Sequence, residues 1–103
     1  MDLQIAGDLE QWLRKEASER IQRSALRRDY ARAYRNLSDE DRKCAHALAE
    51  RMHGRKFPRQ SRAEDEANAR IQERIATKLE DETAMILRFA DFVSFMRNMS
   101  KEA

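Results

Sequence analysis

The sequence predicts an all-α protein, an elongated antiparallel helical hairpin or three-helix bundle with two long helices and one short one. Three observations predict it. The 103 residues include only two glycines and one proline, with 39% charged residues. Apolar residues recur at helical spacing, and no alternating apolar–polar run marks a strand. Strong helix starts and stops divide the chain into three stretches, about 9–36, 39–53 and 62–100, within one domain covering 1–103.

The first stretch is read as beginning near Asp8, with Gln11 three residues on completing a capping box. Leu9, Leu13, Ala17 and Ile21 make an i, i+4 stripe with Trp12 beside it, and the stripe then slips to Leu26, Tyr30, Ala33 and Leu37. Glu10–Arg14, Glu16–Arg20 and Glu19–Arg23 are i, i+4 pairs in the favourable acid-first order. Ser38 followed by Asp39, Glu40 and Asp41 is a second start, with a capping hydroxyl and three acids at the positive end of the dipole. That helix carries Cys44, Leu48 and Met52 on one stripe. It ends at Arg51 and His53, where Gly54 supplies a left-handed residue. Residues 54–60, GRKFPRQ, form the loop. Ser61 with Glu64 is a further capping box. Nothing after it breaks the helix before Ser100, including the polar run Glu80-Asp81-Glu82-Thr83, and Ile71, Ile75, Leu79, Ile86, Val93 and Met96 keep one nearly straight stripe along it. A helix over 62–100 is about 58 Å long at 1.5 Å per residue, so an elongated molecule is expected. An antiparallel pairing of the two long helices then brings Leu3–Leu13 beside the stretch Thr83–Met99, with Trp12 and Phe89 expected in the core between them. The short helix packs at the far end.

Thr83–Met99 holds three phenylalanines and three methionines. On a helix, Met85, Ile86, Phe89, Phe92, Val93, Phe95, Met96 and Met99 span an apolar arc of roughly 180°, where a helix docked on one core needs roughly 100°. Three charges, Arg88, Asp91 and Arg97, interrupt the run, and a membrane span needs about 20 apolar residues, so no membrane contact is expected. One helix does not cover such an arc. The expectation is a homo-oligomer or another protein partner, with Met85, Phe89, Phe92, Phe95, Met96 and Met99 as its interface. Phe57, in the loop Arg55-Lys56-Phe57-Pro58-Arg59, is a further candidate contact, stiffened by the following proline. The competing reading has Phe57 folding back as a lid over Met52 and the end of the second helix.

The net charge of +2 hides an asymmetry. Residues 20–35 carry six arginines and one aspartate, and residues 42–62 carry seven bases and one glutamate. Arg20, Arg23, Arg27, Arg28, Arg32 and Arg35, with Tyr30 and Tyr34 interleaved, are the residues to read for nucleic acid, through phosphate pairing and base stacking. No established nucleic-acid signature accompanies them. His46, Glu50 and His53 share a helical face near Cys44, but a structural zinc site usually takes four ligands. They are read as a solvated face, and no metal or cofactor is assigned. There is no glycine-rich phosphate loop, Ser18, Ser24 and Ser94 have no nearby histidine in sequence, and Cys44 sits on an amphipathic helix as a small apolar residue would, so the chain is read as non-enzymatic. The single cysteine fits a reducing compartment, and the acidic N-terminus lacks the pattern of a signal peptide. A soluble, cytoplasmic protein is the expectation. The sequence thus favours a helical protein–protein interaction module acting as a small regulator, inhibitor or assembly factor. A nucleic-acid-binding protein using the arginine face of the first helix is the alternative.

Overall fold

The computed structural model describes residues 2–58 and 61–102, without the side chain of Glu102. It is all-α: α1 spans Leu3–Arg35, α2 spans Asp39–His53 and α3 spans Arg62–Glu102, with no strand among the described residues. The extents are 68 × 25 × 15 Å, so the molecule is one helix thick along most of its length. α1 and α3 pair antiparallel, and α3 runs unbroken through Glu80–Thr83.

The caps follow elementary rules. Ser38 accepts from the Asp41 amide at 3.0 Å, and Ser61 from the Glu64 amide at 3.2 Å. Gly54 closes α2 at φ 64°, where a side chain would be strained. The start of α1 differs from the expectation. Asp2, not Asp8, is the N-cap, accepting from the amides of Gln4 and Ile5. Asp8 lies inside the helix and accepts from Gln4 Nε2 at 3.1 Å. Gly7 is helical as well; a Cβ there would stand 3.2 Å from an Arg97 guanidinium nitrogen.

The seam between the long helices is built from small residues. Ala6, Leu13, Ala17, Ser24 and Ala31 of α1 are buried, as are Ala69, Ala76, Thr83, Ala90 and Val93 of α3. Ala17, Ser24 and Ala31 are seven residues apart, and so are Ala69, Ala76, Thr83 and Ala90. Such a repeat keeps one side of each helix facing its partner along a left-handed supercoil. Ser24 and Thr83 satisfy their hydroxyls locally, donating to the carbonyls of Ile21 at 2.8 Å and Leu79 at 2.7 Å. Ala6, Leu13, Ala90 and Val93 cluster near the chain ends, with Leu9 and Ile86 packed against them.

This core corrects the expected one. Ile21 and Ile71, placed on the core stripes by the sequence, are exposed. Trp12 and Phe89 flank the seam at 57% and 49% exposure and do not fill it. Small residues let the backbones approach closely, and close approach leaves the large side chains no room between them.

α2 sits beyond the seam and makes no backbone approach to α1 or α3 among the described residues. It has no buried residue. Side chains attach it: Arg42 Nε donates to the buried Asp65 at 2.8 Å, and Arg62 approaches Asp39 at 3.6 Å. Tyr34, Leu37, Ala49 and Phe57 line the groove beneath it. No helix among the described residues is long and apolar enough to cross a membrane.

Candidate functional site

The α1–α3 layer has two unlike faces, and the ion pairs identify one of them. Arg14 bonds Asp91 at 3.1 Å, Arg28 grips Glu80 with two hydrogen bonds of 2.7 and 2.8 Å, and Arg35 bonds Glu66 at 3.0 and 3.1 Å and also Glu73. These residues all lie on one side of the seam. The hydrogen bond from Arg28 holds Glu80 below the usual carboxylate range, and that from Arg35 does the same to Glu66 and Glu73.

Helical spacing then assigns the other face. Ile5, Trp12 and Tyr30 of α1, and Ile71, Met85, Phe89, Phe92 and Met96 of α3, lie roughly 80–140° round their helices from the seam, in the sense opposite to the ion-paired residues. Met96 is partly buried; the others are exposed, Met85 at 65% and Phe92 at 55%. The apolar surface is densest where the ends of α1 and α3 meet. A contiguous exposed patch of large apolar side chains is uncommon on a monomer and marks an interaction surface. Phe95 and Met99 are exposed too, but stand on the back of α3, at the edge of this face. The expected interface residues are therefore brought together in part: Met85, Phe89, Phe92 and Met96 form the face, and α1 adds Ile5 and Trp12. Sequence reasoning had Trp12 as core, although its place off the small-residue seam could be read from the seven-residue steps.

Phe57 stands apart, at the other end of the molecule. It is partly buried, edge-on to the His53 ring with centroids 5.6 Å apart, and the Arg55 guanidinium lies 4.7 Å over it. Its amide donates to Glu50 Oε2 at 3.2 Å. It therefore folds back on α2, but against His53; Met52 is exposed. Arg59 of the same loop lies outside the described residues.

The six arginines read for nucleic acid are spread over different surfaces. Arg28 and Arg35 belong to the charged face, and Arg32 pairs with Asp29. Arg20 bridges Glu16 at 2.6 Å and Glu82 at 3.2 Å. Arg27 donates to Gln72 at 3.0 Å and lies 6.0 Å from the Tyr30 ring centre. Arg23 points out on the apolar side. Each carboxylate partner competes with a phosphate for the same guanidinium fork. His46 Nε2 meets Glu50 at 3.0 Å, and no group of three His, Cys, Asp or Glu among the described residues is arranged to hold a metal.

No family model matches this sequence, and comparison with curated proteins and with solved structures returns no match.

Proposed function

We propose that this chain is a helical protein–protein interaction module, working as a small regulator, inhibitor or assembly factor through the apolar face of the α1–α3 layer. One observation carries the reading: alanines fill the seam, while Trp12, Met85, Phe89 and Phe92 stand outside it and exposed. Packing within the hairpin does not account for these large side chains, whereas burial against another helical surface does. Removing the exposed half of each from water contributes on the order of 1 kcal/mol. The opposite face, with its carboxylates and guanidinium groups paired, has no comparable apolar surface to offer.

The test is the double variant Phe92→Ser/Met96→Ser. Both positions lie outside the alanine seam, so helix content by circular dichroism is expected to stay at the wild-type level. Self-association and capture of binding proteins from the host are expected to fall together or singly. A variant that retains wild-type behaviour in both assays would reject the interaction reading.

A further inference from the structure

We propose that the occupant of the apolar face is a second copy of this chain, the two layers stacking face to face into a four-helix bundle about a two-fold axis parallel to the helices. This rests on the interaction reading above and names its partner. Such an axis lays each α1 antiparallel on α3 of the other copy, so every adjacent pair in the bundle is antiparallel. It also superimposes apolar on apolar: Ile5 and Trp12 of one copy meet Phe89, Phe92 and Met96 of the other. An axis across the helices would instead set this aromatic end over the far end, where Tyr30 and Ile71 are the main apolar groups.

Charge at mid-length supports the same stacking. Arg23 and Glu19 lie on the apolar side, and Asp81 and Arg88, at seven-residue steps before Phe95, lie at its edge on the back of α3; none of the four has an ion-pair or hydrogen-bond partner among the described residues. The charged face differs, since Arg14, Arg28 and Arg35 there all have carboxylate partners. The register follows from two pairs. Counting nine residues on from Arg14–Asp91 sets Arg23 level with residue 82, and counting three on from Arg20–Glu82 sets it level with residue 79. The proposed axis keeps these levels between copies. Arg23 of one copy is therefore level with Asp81 at the edge of the other's face, within reach of its long side chain, and Glu19 comes within about one helical turn of Arg88. Leu26 falls level with Lys78, whose alkyl stem can lie across it.

The area is of the right size. Ile5, Trp12, Ile71, Met85, Phe89 and Phe92 are each between 49% and 66% exposed. Covering about half of a ~200 Å² side chain at each gives roughly 600 Å² per copy before any alkyl stem is counted, close to the ~800 Å² per partner of a standard interface.

The experiment is sedimentation equilibrium on the full chain with charge-reversal variants. Wild type is expected to be a dimer. Arg23→Asp and Asp81→Arg each set like charges opposite one another twice per dimer, and each is expected to weaken association by about tenfold. The double variant Arg23→Asp/Asp81→Arg restores opposite charges and is expected to recover wild-type affinity. Both side chains are solvent-facing and have no ion-pair partner among the described residues, so unchanged helicity serves as the control. A wild type that stays monomeric at about 100 µM, where a standard interface is populated, overturns the proposal. So does a double variant that dimerises no better than the singles. A monomer would leave the interaction module standing with a different partner, and that reading falls separately, by the Phe92→Ser/Met96→Ser capture assay.

Discussion

Glu10 Oε1 lies 3.0 Å from Arg97 Nη2 at the seam between the ends of α1 and α3. Glu10 is 8% exposed, and Arg14 approaches it from the same helix at 3.5 Å. The carboxylate is thus held between two guanidinium groups, yet Glu10 Oε1 and Arg97 Nε have no well-aligned hydrogen bond. An ion pair in this position is costly to break and of little net benefit when intact, because desolvation offsets most of the attraction. Glu10→Ala is expected to destabilise the hairpin by about 1–3 kcal/mol, by leaving Arg97 with an unpaired charge in the seam. Glu10→Leu/Arg97→Leu is expected to be close to neutral. Urea denaturation of the two variants checks this, and equal losses in both would show that the pair is a net source of stability.

The alanine seam makes a second expectation. Ala76 is fully buried midway along α3. Leucine there forces the backbones apart or takes a strained rotamer, at a cost of about 1–3 kcal/mol. By hydrophobicity alone the same change would stabilise the fold. A raised melting temperature for Ala76→Leu would mean that the close approach of the helices is not what the alanines provide.

The charged face gives the molecule an acid-sensitive side. Glu66 and Glu73 are held down chiefly by the hydrogen bonds from Arg35, and Glu80 by that from Arg28. A carboxylate with a lowered folded-state pKa contributes stability that is fully present above its unfolded value, near 4.5. That contribution is lost as pH falls through the folded value, so stability is expected to decline below about pH 4.5 and not in the neutral range. Arg28→Gln is expected to flatten part of that decline while lowering stability at neutral pH. Denaturation midpoints measured from pH 7 to pH 3 check both. An unchanged slope in the variant would assign the acid sensitivity to other carboxylates.

Much of this fold is legible in the residues, and what is not has a physical reason. Ser38, Gly54 and Ser61 mark their helix ends because caps are local chemistry, decided within four residues of chain. The antiparallel pairing and the elongation follow from helix lengths alone. The seam is harder to read, because large apolar side chains dominate any hydrophobic count and alanine contributes little to it. The stripe of Ile71, Ile75, Leu79, Ile86 and Val93 therefore looks like the core, although Ile71 is exposed and Ala69 and Ala76 are fully buried. The seven-residue steps Ala17-Ser24-Ala31 and Ala69-Ala76-Thr83-Ala90 hold the missing information. The wide apolar arc of Met85–Met99 is legible as a surplus, but which part of it faces α1 depends on the seam.

Trp12 turns this into a measurement. A fully buried tryptophan truncated to alanine costs about 3–5 kcal/mol. In the hairpin Trp12 is 57% exposed, so Trp12→Ala is expected to cost well under that in dilute protein. Covering the apolar face makes the loss concentration-dependent, since association stabilises only the folded form. Denaturation at two protein concentrations a hundredfold apart is expected to show the larger loss at the higher one. A large loss independent of concentration would place Trp12 in the core of the single chain.

The attachment of α2 makes the last expectation. α2 is fifteen residues long and has no buried residue. Isolated helices of about 12–15 residues are marginal in water, so its order depends on what ties it to the hairpin. Arg42 is the main tie: its Nε donates to Asp65 at 2.8 Å while Nη1 donates to Asp39 at 2.8 Å. Asp65 is 3% exposed at the start of α3, and the hydrogen bond that Arg42 donates to it raises the Arg42 pKa above its ordinary value. Arg42→Met keeps an apolar stem but removes both pairings. Amide hydrogen exchange is expected to speed up across 39–53 in this variant, with α1 and the middle of α3 still protected, because the alanine seam does not pass through α2. Equal loss of protection in all three helices would instead make Arg42–Asp65 part of one cooperative unit with the seam, and the hairpin could not then be treated as independent of the helix it carries.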